Sequence, residues 1–410
     1  MDIHAPLGIY DSLPASNFVP VTGTYNIPFR CLYSRNVGNL MMAGRNISAT
    51  HIALGSTRVM ATCGAIGQAV GTAVYIAKKY DILPREIYEK HIEELQKILI
   101  EDDQTILNKN DKSVSWNVQV TSEMEYENTE INEFITLDRD YAIALTPVTE
   151  KIEKVFFRIK SKADTTIKYK ILQGKHKETY IPEFIKKELS VKVNKDFDNW
   201  LEFEIDEYKG DDGKLYLAFE ENENIEIATG KKRPVGTVTF RMHKENNCTG
   251  KNHDSAPLAA ATGYTAIDHI YEREKNILFK DVMPKQKVFS GENIVNGILR
   301  PYGAPNIWVA ENNKPQTVKL TADKPQDIKE FTLIMNNNLD KDVFLERSAS
   351  LLKKYSIRFI HKNGEKCILE EENYLRCRKY AVELEEVSEI IIDIAETYGE
   401  DVSLYGVNIK

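Results

Sequence analysis

Residues 25–80 read YNIPFRCLYSRNVGNLMMAGRNISATHIALGSTRVMATCGAIGQAVGTAVYIAKKY, and this stretch decides the fold of the N-terminal part. The apolar run 39–43 (NLMMA) predicts a short buried strand, which the polar loop Gly44-Arg45-Asn46-Ile47-Ser48 then leaves. After Gly55, Ser56 is placed to cap a helix that runs to residue 80, with small residues on several faces that permit close packing. A second helix starts near Pro84 and repeats Tyr88, Ile92, Leu95 and Leu99 at intervals of three and four, so its apolar side is expected to cover the first. A strand, a glycine loop and a helix opened by Gly-Ser-Thr-Arg gather backbone N–H groups and a positive helix end at one point, which suits negative charge. Glycines there let a flat or phosphorylated cofactor approach the main chain. On its own, such a unit also simply turns a corner.

Working outward, the chain changes character near residue 110. Before it Gly, Ala and Met are frequent, whereas after it Lys, Glu, Asn, Ile and Val alternate in short runs. Strands are expected at 114–120, 141–145, 155–159, 166–172, 189–193, 200–205, 215–219 and 235–240, separated by Asn, Asp, Gly and Lys turns in the manner of a β-sandwich. The segment 246–276 reads as a connection. Beyond it the pattern recurs, with strands expected at 317–320, 330–335, 356–360, 381–384, 389–394 and 402–409. The division that follows is 1–110, 111–245, 246–276 and 277–410.

With 410 residues, 42% hydrophobic and 28% charged, the chain has material for two or three cores. A net charge of -8 argues against nucleic-acid binding, which needs a visible Lys/Arg excess, although a local basic pocket can hide in an acidic total. Five cysteines (Cys31, Cys63, Cys248, Cys367 and Cys377) form no CxxC pair, and eight histidines form no HxH or HxxxH pair. Neither a disulfide framework nor a metal or iron–sulfur site is expected. Cys63, within the apolar helix, reads as a small core residue. The N-terminus lacks the basic and apolar runs of a signal peptide, so a cytoplasmic location is expected. The apolar stretch 59–77 is interrupted by Thr62, Gln68, Thr72 and glycines, which favours a buried helix over a membrane span, even with its Gly67-xxx-Gly71 spacing.

The run IPFRCLYS, NLMMAGRNIS, THIALGSTRVM and GQAVGTA resembles the C-terminal portion of the flavin domain in bacterial FAD-dependent oxidoreductases, the family related to the flavoprotein subunit of heterodisulfide reductase. The resemblance covers about residues 1 to 105 and implies FAD as cofactor. It implies that Gly44, Arg45, Asn46, Ser48, Gly55, Ser56, Thr57 and Arg58 lie against FAD. A positive helix end beside a reduced flavin would stabilise the charge that the ring gathers. Arg58 either adds to this or pairs with a structural carboxylate. His4, Arg30 and His51 stand in or beside the family-like segments as candidate catalytic residues, with hydrogen bonding to loop backbone as the alternative for the histidines.

A complete enzyme of this family opens with a GxGxxG turn for the FAD pyrophosphate, and no such fingerprint occurs in these 410 residues. The chain therefore reads as an α/β remnant of an FAD-binding domain followed by two β-sandwich domains, mostly β overall. It is expected to be incomplete alone, with a partner supplying the N-terminal flavin-domain half or with self-association over an exposed apolar patch. No membrane or nucleic-acid partner is expected, and the substrate is an unidentified small molecule or sugar.

The C-terminal segment, with SGENIVNGILRPYGAPNIWVAE and EIIIDIAETYGEDVSLYGVNI, resembles discoidin-like, galactose-binding-like sandwiches. The resemblance implies sugar binding through Trp308, Tyr302 and Arg300, against the alternative that Trp308 fills the core and residues 300–303 form a turn. Trp200 starts an alternating strand and is expected in the core. A noncatalytic carbohydrate-binding or interaction protein is thus the second reading.

Overall fold

The computed structural model describes residues 2–4, 16–18, 25–107, 109, 116–174, 177, 182, 184–242, 264–266, 276–337 and 348–410. These form a mostly β protein with a small helical N-terminal part. Of the connection expected at 246–276, the strand Tyr264–Ala266 and residue 276 are described, and the rest lies outside the described residues.

Four helices build the N-terminal part: α1 (His51–Thr57), α2 (Met60–Tyr80), α3 (Pro84–Lys90) and α4 (Ile92–Glu101). Pro84 stands in the first turn of α3, where its missing N–H costs nothing, and the Glu86 carboxylate accepts from the Leu83 N–H at 3.1 Å. The expected second helix is broken at His91, so Leu95 and Leu99 of α4 and Ile87 of α3 reach the core through separate helices. They pack with Phe29, Leu32, Ile66, Ala73 and Ile76.

Two expectations for this part are corrected. Residues 39–43 form no strand: Met41 makes one isolated bridge to Tyr33, because among the described residues no sheet lies beside it to extend the ladder. The helix does not begin at Ser56 either. Thr50 is the cap, its Oγ1 accepting from Ala53 N at 3.2 Å, so Gly55, Ser56 and Thr57 fill the last turn of α1. Ser56 Oγ and Thr57 Oγ1 both donate to the Ala53 carbonyl, at 3.2 and 3.3 Å, competing with the helical ladder. The chain turns at Arg58, extends at Val59 and restarts as α2.

The middle region is a sandwich of two antiparallel sheets. One runs Tyr264–Ala266, Val238–Met242, Tyr141–Leu145, Leu215–Phe219, Thr165–Gln173 and Phe184–Val193. The other centres on Lys151–Ser161, which pairs with Asp198–Tyr208, Asn222–Gly230 and Phe279–Met283. Phe157, Phe203 and Phe219 meet edge-on between the sheets at 5.0 to 5.4 Å.

The last region is one seven-stranded sheet. Its two longest strands, Gln316–Met335 and Cys377–Thr397, each merge two expected strands and bend at register shifts between Thr321 and Glu330. The bend closes the sheet on itself: Phe331 from one half meets Phe359 from the other, ring centroids 5.4 Å apart.

The expected division at 110, 245 and 276 cuts across these sheets. Trp116–Val120 pairs with Gln316–Met335, burying Trp116 beside the last core, while Phe279–Met283 places Phe279 in the middle core. Each sandwich thus holds a strand from the other's stretch of sequence.

Candidate functional site

Gly44 takes a left-handed φ of +104° that favours glycine, and the space around its missing Cβ is open save for Asn46 Oδ1 at 4.0 Å. Ile47 is buried and anchors the loop, while Arg45, Asn46 and Ser48 point outward. The Ser48 N–H donates to the Cys31 carbonyl at 2.9 Å, which ties the loop to the turn Phe29–Cys31. No hydrogen bond or ion pair engages the side chains of Arg45, Asn46, Ser48 or His51 among the described residues.

His51 opens α1 and is exposed, and the strand Asp2–His4 lies against that helix. The side chain of His4, the last residue of that strand, lies outside the described residues. Arg30 is drawn elsewhere: its guanidinium stacks 5.1 Å from the Tyr88 ring centroid on α3. Ser56 hydrogen-bonds the Tyr25 hydroxyl, a partner no sequence pattern marks. Thr57 is buried against its own helix, and Arg58 is half-buried, closing α1 with its N–H on Leu54 O at 3.1 Å.

The positive helix end is therefore displaced from its expected place. Gly55, Ser56 and Thr57 stand at the negative end of α1, and the open N–H groups next to Arg58 are those of α2, whose cap residue Val59 has no side-chain acceptor. Val59 and Met60 are exposed, 55% and 81%. Cys63 points its Sγ to the Thr57 carbonyl at 3.6 Å and spans the break between the two helices.

α2 is long and apolar enough to cross a membrane by length and composition, with a mean hydropathy of 1.3 and 17% of that window buried. Its inner face is Ile66, Ala73 and Ile76. Its outer face carries Val74 and Tyr75, more than half exposed, and Gly64, Gly67 and Gly71 have no atom within 4 Å of where a Cβ would sit.

Of the two readings of Trp308, the core one holds. Trp308 is fully buried and its Nε1 donates to Ser122 O at 2.9 Å, inside the last core. Trp200 is the reverse case: it shares the outer face with Glu202, half-buried, under Lys280 Nζ at 5.2 Å. Residues 300–304 do form a turn, clasped by Asn306 Nδ2 on the Arg300, Tyr302 and Ala304 carbonyls at 2.9 to 3.1 Å.

The chain is thus a small helical N-terminal part followed by β-sandwiches. Residues 1–99 match the family of FAD dependent oxidoreductases. No curated protein matches the chain. Similar solved structures include the family 32 carbohydrate-binding module of Streptococcus pneumoniae EndoD, at 12% identity and a TM-score of 0.27, covering 31% of this chain and 90% of the module. A Clostridium perfringens module, CpGH89CBM32-5, in complex with GalNAc-beta-1,3-galactose, has 13% identity and a TM-score of 0.23, with 29% and 81% covered. A fucose binding module of Streptococcus pneumoniae, SpX-3, has 13% identity and a TM-score of 0.24, with 29% and 82% covered.

Proposed function

We propose that the N-terminal part is the C-terminal portion of an FAD-binding oxidoreductase domain, able to hold FAD once the half bearing the dinucleotide fingerprint packs onto it. The open outer face of α2 carries this reading. A helix of 21 residues that buries three side chains and leaves Val59, Met60, Val74 and Tyr75 exposed leaves much of its hydrophobic gain unrealised. Three glycines with free space above them suit a closely approaching backbone layer. The residues of the loop and helix ends fit a flavin cofactor: Arg45, Asn46, Ser48 and His51, whose side chains are unpaired among the described residues, the left-handed Gly44, and the open N–H groups of α2 beside Arg58. FAD, when bound, supplies hydride or electron transfer. The chain's own groups would orient it and meet its negative charge, with His51 placed to hold or pass a proton.

The test is titration of FAD into the chain alone and into the chain mixed with a GxGxxG-bearing half of a family member, followed by flavin absorbance and fluorescence. Binding only in the mixture, weakened by Arg45→Ala and His51→Ala, is the expected result. A mixed complex that forms yet takes up no FAD overturns the reading.

A further inference from the structure

We propose that the cleft between residues 100–107 with Lys109 and the loop 297–302 is a binding site for a compact anionic group, a carboxylate or phosphate, on a small molecule. This is independent of the flavin reading. Ile100, Ile106, Leu107, Ile298 and Leu299 supply apolar walls, and Asp103, Thr105, Lys109, Arg300 and Tyr302 supply polar ones. The cavity volume is about 40 Å³. That is room for roughly three waters or one charged headgroup with a short apolar stem, while a larger body would stay at the mouth.

The charge balance gives the sign. Two guanidiniums crowd one carboxylate: Arg376 takes both oxygens of Asp103, and Arg300 reaches Oδ1 at 3.2 Å through Nη2 alone. Arg300 Nε and Nη1 have no partner among the described residues, and the side chain is 38% exposed. Lys109 Nζ and Thr105 Oγ1 on the facing strap are likewise unbonded. The neighbouring carboxylates offer no relief, since Asp102 pairs with Lys379 and Glu101 with Lys410. Burial and the adjacent Arg376 push Arg300 below the ordinary arginine range, the direction expected where positive charge outweighs negative. A guanidinium with two free donors, an ammonium and a hydroxyl around a small apolar-walled space match an anion in both charge and hydrogen bonding.

The experiment is calorimetric titration of the full chain at low ionic strength with acetate, butyrate and inorganic phosphate, and with acetamide as the neutral counterpart. Saturable binding of a carboxylate or of phosphate is expected, the arms showing which, with acetamide inert and added salt weakening the anion. Loss of one charge-assisted contact should weaken binding roughly tenfold in Lys109→Gln and in Arg300→Gln. The Lys109 side chain is exposed and makes no hydrogen bond or ion pair among the described residues, so its variant tests the site even if Arg300→Gln fails to fold. Absence of saturable anion binding, equal binding of acetamide, or unchanged affinity in folded Lys109→Gln would overturn the proposal.

Discussion

Asp103 and Arg376, 273 residues apart, join the helical part to the last sandwich through a forked ion pair, with Nε to Oδ2 at 2.8 Å and Nη2 to Oδ1 at 3.3 Å. The same guanidinium donates to Met335 O at 2.7 Å and Leu299 O at 2.8 Å, and lies 4.9 Å from the Tyr405 ring centroid. The pair sits where α4 ends in Glu101-Asp102-Asp103, three carboxylates at the negative pole of a helix. Cations from the sandwich offset that unfavourable placement. Docking of the helical part is therefore an electrostatic match.

Because both partners are nearly buried, 11% and 13% exposed, Arg376→Met should cost about 3 kcal/mol by leaving Asp103 short of its main partner and two carbonyls without donors. Asp103→Asn keeps the left-handed backbone at φ 64°, which Asn also tolerates, and should isolate the loss of charge. Urea denaturation of both variants checks this, and a change below about 1 kcal/mol for Arg376→Met would show that the fork is incidental.

A second buried pair lies in the middle sandwich. Lys214 and Asp212 are both fully buried, with Nζ to Oδ2 at 3.9 Å, and the Tyr216 hydroxyl donates to the same carboxylate at 3.0 Å. Burial pushes the Asp212 carboxyl up, and Lys214 partly offsets this. In Lys214→Met the offset vanishes, so the folded-state value rises further above the unfolded one. The folded state then binds its proton more readily, and stability grows as pH falls through the raised value and is lost as pH rises through it. The variant should lose about 3 kcal/mol at neutral pH and regain part of it on mild acidification. Melting temperature against pH, compared with the parent, reads the difference, and parallel curves would rule the coupling out.

Gly213 bridges that pair to the loop of the anion cleft. Its φ is +77°, and a Cβ there would sit 2.5 Å from the Gly303 carbonyl oxygen. Gly213→Ala should therefore cost about 2 kcal/mol from the left-handed backbone and the backbone collision together. The displaced loop carries Arg300, so the same variant should weaken anion binding while leaving the helical part intact. Thermal melting and calorimetry on one preparation separate the two effects.

Legibility in the sequence followed how local each signal is. Tyr141–Leu145 and Leu215–Phe219 are apolar throughout and end where their composition changes, and the expected bounds match the observed strands. Asn222–Gly230 escaped notice because its first three residues are polar and its alternation is short. The polar run TADKPQD reads as a turn, yet it stays within Gln316–Met335 because the strand Cys377–Thr397 bends alongside it through bulges. Trp116–Val120 was legible as a strand, but its pairing with a segment some 200 residues on has no local sign. At the candidate site, Gly-Ser-Thr-Arg carries the composition of a helix start, while Thr50 five residues earlier had already capped one. The charge match at Asp103 could have been suspected from three acids at the end of an amphipathic helix, which only a cationic neighbour would tolerate.

The two faces of α2 should differ in their sensitivity to substitution, and this follows from exposure alone. Met60 and Tyr75 are 81% and 59% exposed, so Met60→Glu with Tyr75→Glu should change the stability of the isolated chain by no more than about 0.5 kcal/mol. Ala73 is fully buried against the neighbouring helices, and Ala73→Leu should cost about 1–3 kcal/mol by overpacking. If the outer face seats the fingerprint-bearing half of a flavin domain, as proposed, the double glutamate variant should also lose apolar-dye binding, self-association and recovery of FAD uptake with that half. Dye fluorescence, size-exclusion chromatography and flavin titration on the same sample test the three together. Retained flavin uptake in the glutamate variant would mean that α2 is covered by nothing, and that the loop around Gly44 holds FAD without it.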